Sequence, residues 1–170
     1  AKGGGLFVQG NAAGRPMINS VGSPKLVING TALDYLAESF MAGDPLNGGG
    51  FVIINGIAFD SNGEIKELET PYPGGNLFSL SSGGAIYVRD PYQILSNSQL
   101  NGGEFVDLSD ADWQVIQSLL VENEEHFGIP LARLLTVGGE MLAPAEVYRK
   151  IIPMKNKALS VEDSWAAKHD

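Results

Sequence analysis

The feature that most constrains the fold is a degenerate unit, a turn followed by a short apolar strand and a second turn. Counted from the residue before each strand, successive units start 20, 25, 34 and 19 residues apart. A stack of hairpins needs a return strand after about two to five loop residues, so these longer intervals favour a repeat in which each strand stacks on the previous one. The five units occupy residues 3–12, 24–32, 48–58, 83–90 and 102–108.

The spacing therefore predicts parallel strands in an all-β solenoid, a single-stranded parallel β-helix. Glycine makes up 22 of 170 residues, about 13%, and its position beside apolar strands suits sharp corners. The two longest intervals predict corner insertions at 34–47 and 60–82. In the first, Tyr35, Leu36 and Phe40 recur at a helical spacing, and Met41 extends the same face, so a helix is expected there.

After residue 108 the period becomes helical. Ser109 is a predicted N-cap and Gly128 a predicted helix end, with polar residues at 122–125 on the outer face. Shorter helices are expected at 130–135 and 144–148. We therefore divide the chain into Gly-rich β-helix repeats at 1–108 and a C-terminal α-helical appendage at 109–170 that packs on them. The apolar stripe of the long helix consists of Trp113, Ile116, Leu119, Leu120 and Phe127.

Charge and cysteine content exclude several classes of function. The chain has 11 Lys and Arg residues and 20 Asp and Glu residues, which gives a net charge of −9. This negative charge disfavours nucleic-acid and anionic membrane-surface partners. The chain has no cysteine, so disulfides, thiolate nucleophiles and iron–sulfur ligation are excluded, and a cytoplasmic location is expected. No apolar run approaches the ~18 residues that a transmembrane helix needs.

The histidines and glycine triplets carry no cofactor signature. The triplets at 3–5 and 48–50 do not open a helix with a Gly-x-Gly-x-x-Gly pattern, and no Gly-Lys-Ser/Thr follows, so turn geometry is the favoured interpretation. His126 is expected to pair with Glu122 in the last turn of the acidic helix, and His169 lies in the polar tail. Two histidines without cysteine predict no metal site.

Carboxylates in the second insertion are candidates for an acid/base pair, since β-helices host polysaccharide-cleaving sites. The candidates are Asp60, Glu64, Glu67 and Glu69, but no spacing joins any two of them, and a solvated loop is favoured. The Ser-Ser-Gly run at 81–83 is not a nucleophile elbow. We predict no catalytic, cofactor-binding or metal-binding residue.

Aromatic residues and the two ends of the repeat point to an interface. Phe7, Phe51 and Tyr87 lie in the apolar strands, where lining the coil is favoured over stacking on a ligand. An open solenoid end is an unpaired strand edge that must be covered. The helices after 108 are expected to cover one end, and the start at Gly3 leaves the other for a preceding segment, domain or subunit. A partner protein is therefore expected, and a homo-oligomer is an alternative.

Several segments resemble a known family. The run 82–90, Ser-Gly-Gly-Ala-Ile-Tyr-Val-Arg-Asp, is similar to the Ser-Gly-Gly and apolar-strand element near the end of the glutamate synthase large subunit. As in that family, a strand ending at 105–108 and an acidic helix follow, the latter reading Glu-Glu-His-Phe-Gly-Ile-Pro-Leu-Ala-Arg-Leu-Leu at 124–135. The segment from 148 to 159 is similar to the family's closing basic and apolar segment.

The resemblance spans about residues 3–159 and implies a right-handed parallel β-helix from the C-terminal domain of that subunit. Its implied function is scaffolding within a complex of a glutaminase and a synthase part that carries FMN and an iron–sulfur cluster. It implies no catalytic residue and no bound cofactor in this domain. Two alternatives remain, the equivalent subunit of a related oxidoreductase such as formylmethanofuran dehydrogenase, and a stand-alone carbohydrate-active β-helix.

Overall fold

Ten short strands and three helices follow one another along the part of the chain that the computed structural model describes, residues 1–154. The helices are α1 (Asp110–Phe127), α2 (Leu131–Leu135) and α3 (Pro144–Val147), and two 3-10 turns lie at Pro45–Asn47 and Asn97–Gln99. The strands are β1 (Gly5–Val8), β2 (Lys25–Ile28), β3 (Phe51–Ile54), β4 (Ile57–Phe59), β5 (Ile65–Glu67), β6 (Ala85–Arg89), β7 (Gly103–Val106), β8 (Thr136–Val137), β9 (Glu140–Met141) and β10 (Tyr148–Pro153).

The main sheet has six strands in the order β1-β2-β3-β6-β10-β7. β1, β2, β3 and β6 pair in parallel, as the spacing of the repeat predicts, and their registers place Gly5, Lys25, Phe51 and Ala85 in one column. The segments that connect the strands also stack on one another, as a parallel bridge between Ala12 and Ala32 shows. β2, β3 and β6 therefore each lie directly on the strand of the preceding unit.

The predicted fold class, an all-β right-handed parallel β-helix, is wrong. β10 runs antiparallel to both β6 and β7 and separates them, so the sheet is mixed and the fifth unit does not pair with the fourth. β4–β5 and β8–β9 form two further antiparallel pairs, and α1 covers one face of the sheet. The fold is mixed α/β. The physical reason is that the basic and apolar segment 148–153, which lies outside the repeat, forms hydrogen bonds with the edge of β6.

Alternate residues of the parallel strands enter two separate apolar cores. One core lies between the sheet and its connecting segments and contains Leu26, Ile28, Phe40, Phe78 and Ile86. The other lies between the sheet and α1 and contains Phe51, Tyr87, Ile116, Leu120 and Tyr148. The division at residue 108 stays a prediction, although β10 from the second part lies inside the sheet of the first.

The insertion 34–47 contains no α-helix, so that expectation is wrong. Tyr35, Ala37 and Ser39 have φ angles of 62°, 54° and 54°, a left-handed conformation that costs an L-residue roughly 1–2 kcal/mol. Their backbone groups bond to neighbouring segments instead of forming a helix: the N–H of Ala37 donates to Pro16 O (2.9 Å) and that of Ser39 to Ser79 O (2.8 Å). Burial of the intervening side chains and these bonds outweigh the local helical pattern.

The long helix begins and ends where the sequence predicts. The Ser109 side chain accepts from the Asp112 N–H (3.1 Å), and Gly128 ends α1 with a φ of 66°. One detail differs, because Asn123 is fully buried rather than part of the polar outer face. α2 and α3 occupy the two predicted short helices. No helix within residues 1–154 is long and apolar enough to cross a membrane.

Candidate interaction surface

β1 has a free backbone edge within residues 1–154. It pairs with β2 only, whereas β2, β3 and β6 have a strand on each side. The Lys25 N–H donates to Gly4 O (2.9 Å) and the Asn29 N–H to Val8 O (3.0 Å). Because hydrogen-bonding groups alternate along a parallel strand, the N–H and C=O groups of Gly5 and Phe7 point away from β2. We call this outward edge, together with Gly10 and Ala12, the β1 face.

The β1 face exposes the end of a buried apolar column. Leu6, Leu26, Val52 and Ile86 occupy equivalent positions in successive parallel strands. Leu6 is 59% exposed, but Leu26 is 2% exposed and the other two are 0% exposed. The three buried members have a strand on both sides and Leu6 has one on a single side, so Leu6 is a core-type residue without its outer neighbour in the described part of the chain.

Gly30 and Gly10 occupy equivalent positions in the repeat, but a preceding segment packs closely against Gly30 only. A Cβ placed on Gly30 would overlap the Asn11 side chain and approach the Gly10 carbonyl carbon at 2.9 Å. A Cβ placed on Gly10, 20 residues earlier, would meet nothing within 4 Å. Glycine at position 30 is required because the preceding segment packs directly against it, and the same close approach is possible at Gly10.

A cavity of about 340 Å³ lies at the start of β1, between that strand and α1. The cavity borders Gly5, the last residue of the column that also contains Lys25 and Phe51. Gly5 has no side chain that could fill it. The cavity is lined by Gly4, Gly5, Phe7, Ser23, Lys25, Leu119 and Glu122. A second cavity, of about 550 Å³, lies at the other end of β1 between residues 9–11 and β4. Both ends of the β1 face are therefore concave.

Beneath the β1 face, buried amides connect the sheet to the helix. Asn29 and Asn123 exchange two hydrogen bonds, each of 2.8 Å, and Asn55 Nδ2 donates to Asn29 Oδ1 at 2.8 Å. Tyr148 Oη donates to Asn55 Oδ1 at 2.7 Å, and burial raises the pKa of Tyr148. Each buried nitrogen and oxygen of this network has a partner, so the network holds α1 in place.

A buried charged cluster joins α1 to β6 and β10. Lys150 Nζ and Tyr87 Oη each lie 2.7 Å from Asp112 Oδ1, and Ser109 Oγ lies 2.8 Å from Asp112 Oδ2. Burial alone raises the pKa of Asp112, but the hydrogen bonds from these three residues outweigh it, so the net pKa lies below its usual value. Burial, followed by the bond to Asp112, raises the pKa of Tyr87.

Lys150 also borders a cleft of about 410 Å³ together with Asp44, Ser81, Ser82 and residues 83–84. Two of its charged groups already have partners: Lys150 binds Asp112, and Asp44 accepts from the Leu46 N–H (3.0 Å). The Ser81 hydroxyl donates to Ala37 O at 2.8 Å. The Ser-Ser-Gly run therefore has a local structural role.

Three of the four insertion carboxylates form ion pairs, two of them with the same lysine, and Glu69 is exposed. Asp60 and Glu64 share Lys66 at 3.6 and 3.3 Å, and Glu67, at the end of β5, binds Arg89 of β6 at 2.8 Å. The N–H of Glu64 is the largest of several contacts that lower the pKa of Asp60. An acid/base pair needs one carboxyl group that stays protonated, and the lowered pKa of Asp60 favours its ionised form.

The remaining candidates lie in structural positions. His126 Nε2 lies 3.6 Å from Glu122 Oε1, the predicted pairing, and its ring packs on Phe7 with centroids 4.9 Å apart. Phe51 and Tyr87 are buried beneath α1 and pack edge to face at 5.6 Å, so they line the helix-facing core. His169 lies outside the described residues. Among residues 1–154, no three His, Asp or Glu side chains cluster as metal ligands.

The glycine triplets form turns. Residues 3–5 lead into β1, and Gly48 ends a 3-10 turn with a φ of 82°. A Cβ on Gly50 would approach Pro24 O at 2.5 Å, so close packing rather than phosphate binding explains that glycine.

The sequence predicts an open end of the strand repeat, but it does not by itself indicate which residues form that end. Leu6 would follow from aligning the repeats, because it occupies the first position of a column that is apolar throughout. The Asn29–Asn123 pair has one detectable signal, the recurrence of Asn directly after two strands. A scan against models of known protein families finds no match, and neither the curated proteins nor the solved structures include a match to this chain.

Proposed function

We propose that this chain is a scaffold domain of a glutamate synthase-type complex and docks on another protein part through the β1 face. The observation that carries the docking step is the Leu6 column, in which one member is exposed and the other three are buried. An exposed strand edge above an apolar layer favours the addition of a further strand. The type of complex is supported by the resemblance of segments 82–90 and 124–135 to the glutamate synthase large subunit.

The proposed role is mechanical. The domain sets the relative position of a glutaminase and a synthase part that carries FMN and an iron–sulfur cluster, and it catalyses nothing alone. A rigid framework suits this role: the Asn29–Asn123 pair and the Asp112–Lys150 ion pair both connect α1 to the sheet. In this proposal the complex is cytoplasmic, and the chain binds neither nucleic acid nor membranes.

The test is a pull-down with immobilised wild-type chain and the variant Leu6→Asp, applied to cytosol from the native source. We expect the wild type to retain glutaminase or FMN-binding subunits of glutamate synthase, identified by mass spectrometry, and Leu6→Asp to lose them. Leu80→Asp is the matched control, because Leu80 is 76% exposed and lies outside the β1 face. It should retain the same subunits as the wild type.

Three results would contradict the proposal. Retention of molybdenum or tungsten dehydrogenase subunits would indicate the related oxidoreductase instead. Equal retention by Leu6→Asp would show that the β1 face is not the docking surface. Stoichiometric flavin in the purified chain, or turnover of a substrate by it, would show that the domain is more than a scaffold.

A further inference from the structure

We propose that the partner adds a parallel strand to β1 and places a large aromatic side chain opposite Gly5, in the cavity beneath α1. This inference rests on the proposed docking through the β1 face and names the chemistry of the partner segment. Its occupant is an extended polypeptide strand, not a small molecule.

The register of the sheet determines which partner residue meets the cavity. Gly5, Lys25, Phe51 and Ala85 form one column whose side chains face α1. A strand added in the same parallel register would place one residue of that column outside Gly5. Its two neighbours would lie over Leu6 and Gly4, so the neighbour over Leu6 would cover the exposed leucine.

The cavity is suited to an aromatic ring. Its volume is about 340 Å³, and Phe7 and Leu119 provide apolar walls while Lys25 and Glu122 border it. The chain itself shows the packing on the opposite side of Lys25, where the Phe51 ring is buried and lies 5.7 Å from Lys25 Nζ. An ammonium group within about 6 Å of a ring centroid is attracted to the ring. A ring on the added strand lies two strands from Lys25, and because Gly5 has no side chain it could extend across that position toward the Lys25 side chain.

Gly5 keeps this cavity open, and its backbone permits a direct test. Gly5 does not have a positive φ, and an added Cβ would meet only the Phe7 ring at 3.5 Å, an ordinary contact. Gly5→Ala therefore leaves most of the cavity empty, whereas Gly5→Leu fills it. Both variants are expected to fold, and circular dichroism and thermal unfolding check that they do.

The experiment titrates the ¹⁵N-labelled chain with a peptide of the β3 sequence, Gly-Gly-Phe-Val-Ile-Ile-Asn-Gly, which copies residues 49–56 and carries two added lysines for solubility. Its Phe is the residue expected opposite Gly5. We expect saturable amide shifts confined to residues 4–9 and to the part of α1 near Leu119. Replacing the peptide Phe with Asp, or Gly5 with Leu, should weaken binding at least tenfold, and Gly5→Ala should bind like the wild type.

Equal binding of the peptide by Gly5→Leu, or shifts centred elsewhere, would overturn the inference. Concentration-dependent shifts at β1 without peptide would also overturn it, because the occupant would then be a second copy of this chain. The two proposals fail separately. Retention of glutamate synthase subunits by Gly5→Leu removes the aromatic inference alone, whereas peptide binding without retention of any such subunit removes the proposed function alone.

Discussion

Asn29 and Asn123 are 94 residues apart in the chain and hydrogen-bond each other in both directions, each Nδ2 lying 2.8 Å from the other's Oδ1. Asn29 follows β2 and Asn123 lies on α1, so this pair fixes the helix over the sheet. Both side chains are fully buried, and Asn29 Nδ2 also donates to Val8 O at 3.0 Å. The pair therefore connects the helix to the segment that carries the β1 face.

Asn123→Ala is expected to destabilise the protein by about 1–3 kcal/mol, because one donor and part of the acceptor capacity of Asn29 remain buried without a partner. Urea denaturation followed by circular dichroism measures the free energy of unfolding. Glu125→Ala, on the exposed side of the same helix, is the control and should change it by less than about 0.5 kcal/mol. A similar loss in both variants would show that helix propensity, not the amide pair, is responsible.

Gly30→Ala and Gly10→Ala should differ although the two positions are equivalent in the repeat. The Cβ at position 30 would overlap Asn11 and Gly10, whereas the Cβ at position 10 meets nothing. We expect Gly30→Ala to cost about 1–3 kcal/mol, the usual range for overpacking, and Gly10→Ala to be close to neutral. Thermal unfolding measures both. A large loss in Gly10→Ala would mean that this position is already covered in the free protein.

Lys150→Met should be strongly destabilising, because it leaves the carboxylate of Asp112 buried without its cation. Removing one partner of a buried pair costs about 3–5 kcal/mol, whereas replacing both is often close to neutral. The double variant Asp112→Asn with Lys150→Met should therefore recover part of the loss. Lys66→Met is the control, since its ion pairs are exposed and such pairs contribute about 0–1 kcal/mol. Additive losses in the double variant would contradict the coupling.

Acid should destabilise the wild type more than the variant Asp112→Asn. The folded-state pKa of Asp112 lies below its usual value of 3.8, so its contribution to stability is fully present above about pH 4 and is lost as the pH falls through the folded-state pKa. Urea denaturation at intervals from pH 5 to pH 2 measures the slope. Asp110→Asn, at an exposed position in the first turn of α1, should keep the wild-type slope. An unchanged slope in Asp112→Asn would show that other carboxylates dominate acid unfolding.

Local signals predicted the elements whose conformation depends on nearby residues. Ser109 and Gly128 determine the bounds of α1 because capping groups act within one turn of the chain. The repeat spacing predicted the parallel pairing of β1, β2, β3 and β6, because each unit has the same turn and strand chemistry. The helix expected at residues 35–41 was wrong for the opposite reason. Its apolar pattern fits a helix, but the hydrogen bonds of Ala37 and Ser39 to other segments outweigh that local preference.

The sequence by itself determined the local units of the structure, namely the strands of the repeat, the capped helix and the glycines at turns, because propensity and sterics act between neighbouring residues. Only the tertiary structure decided how these units meet. β10 lies in the sheet between β6 and β7, Asn123 binds Asn29 instead of lying on the expected polar face, and Gly5 borders a cavity. Each outcome depends on partners that are distant in the chain, whose hydrogen bonds and buried surface no local pattern contains.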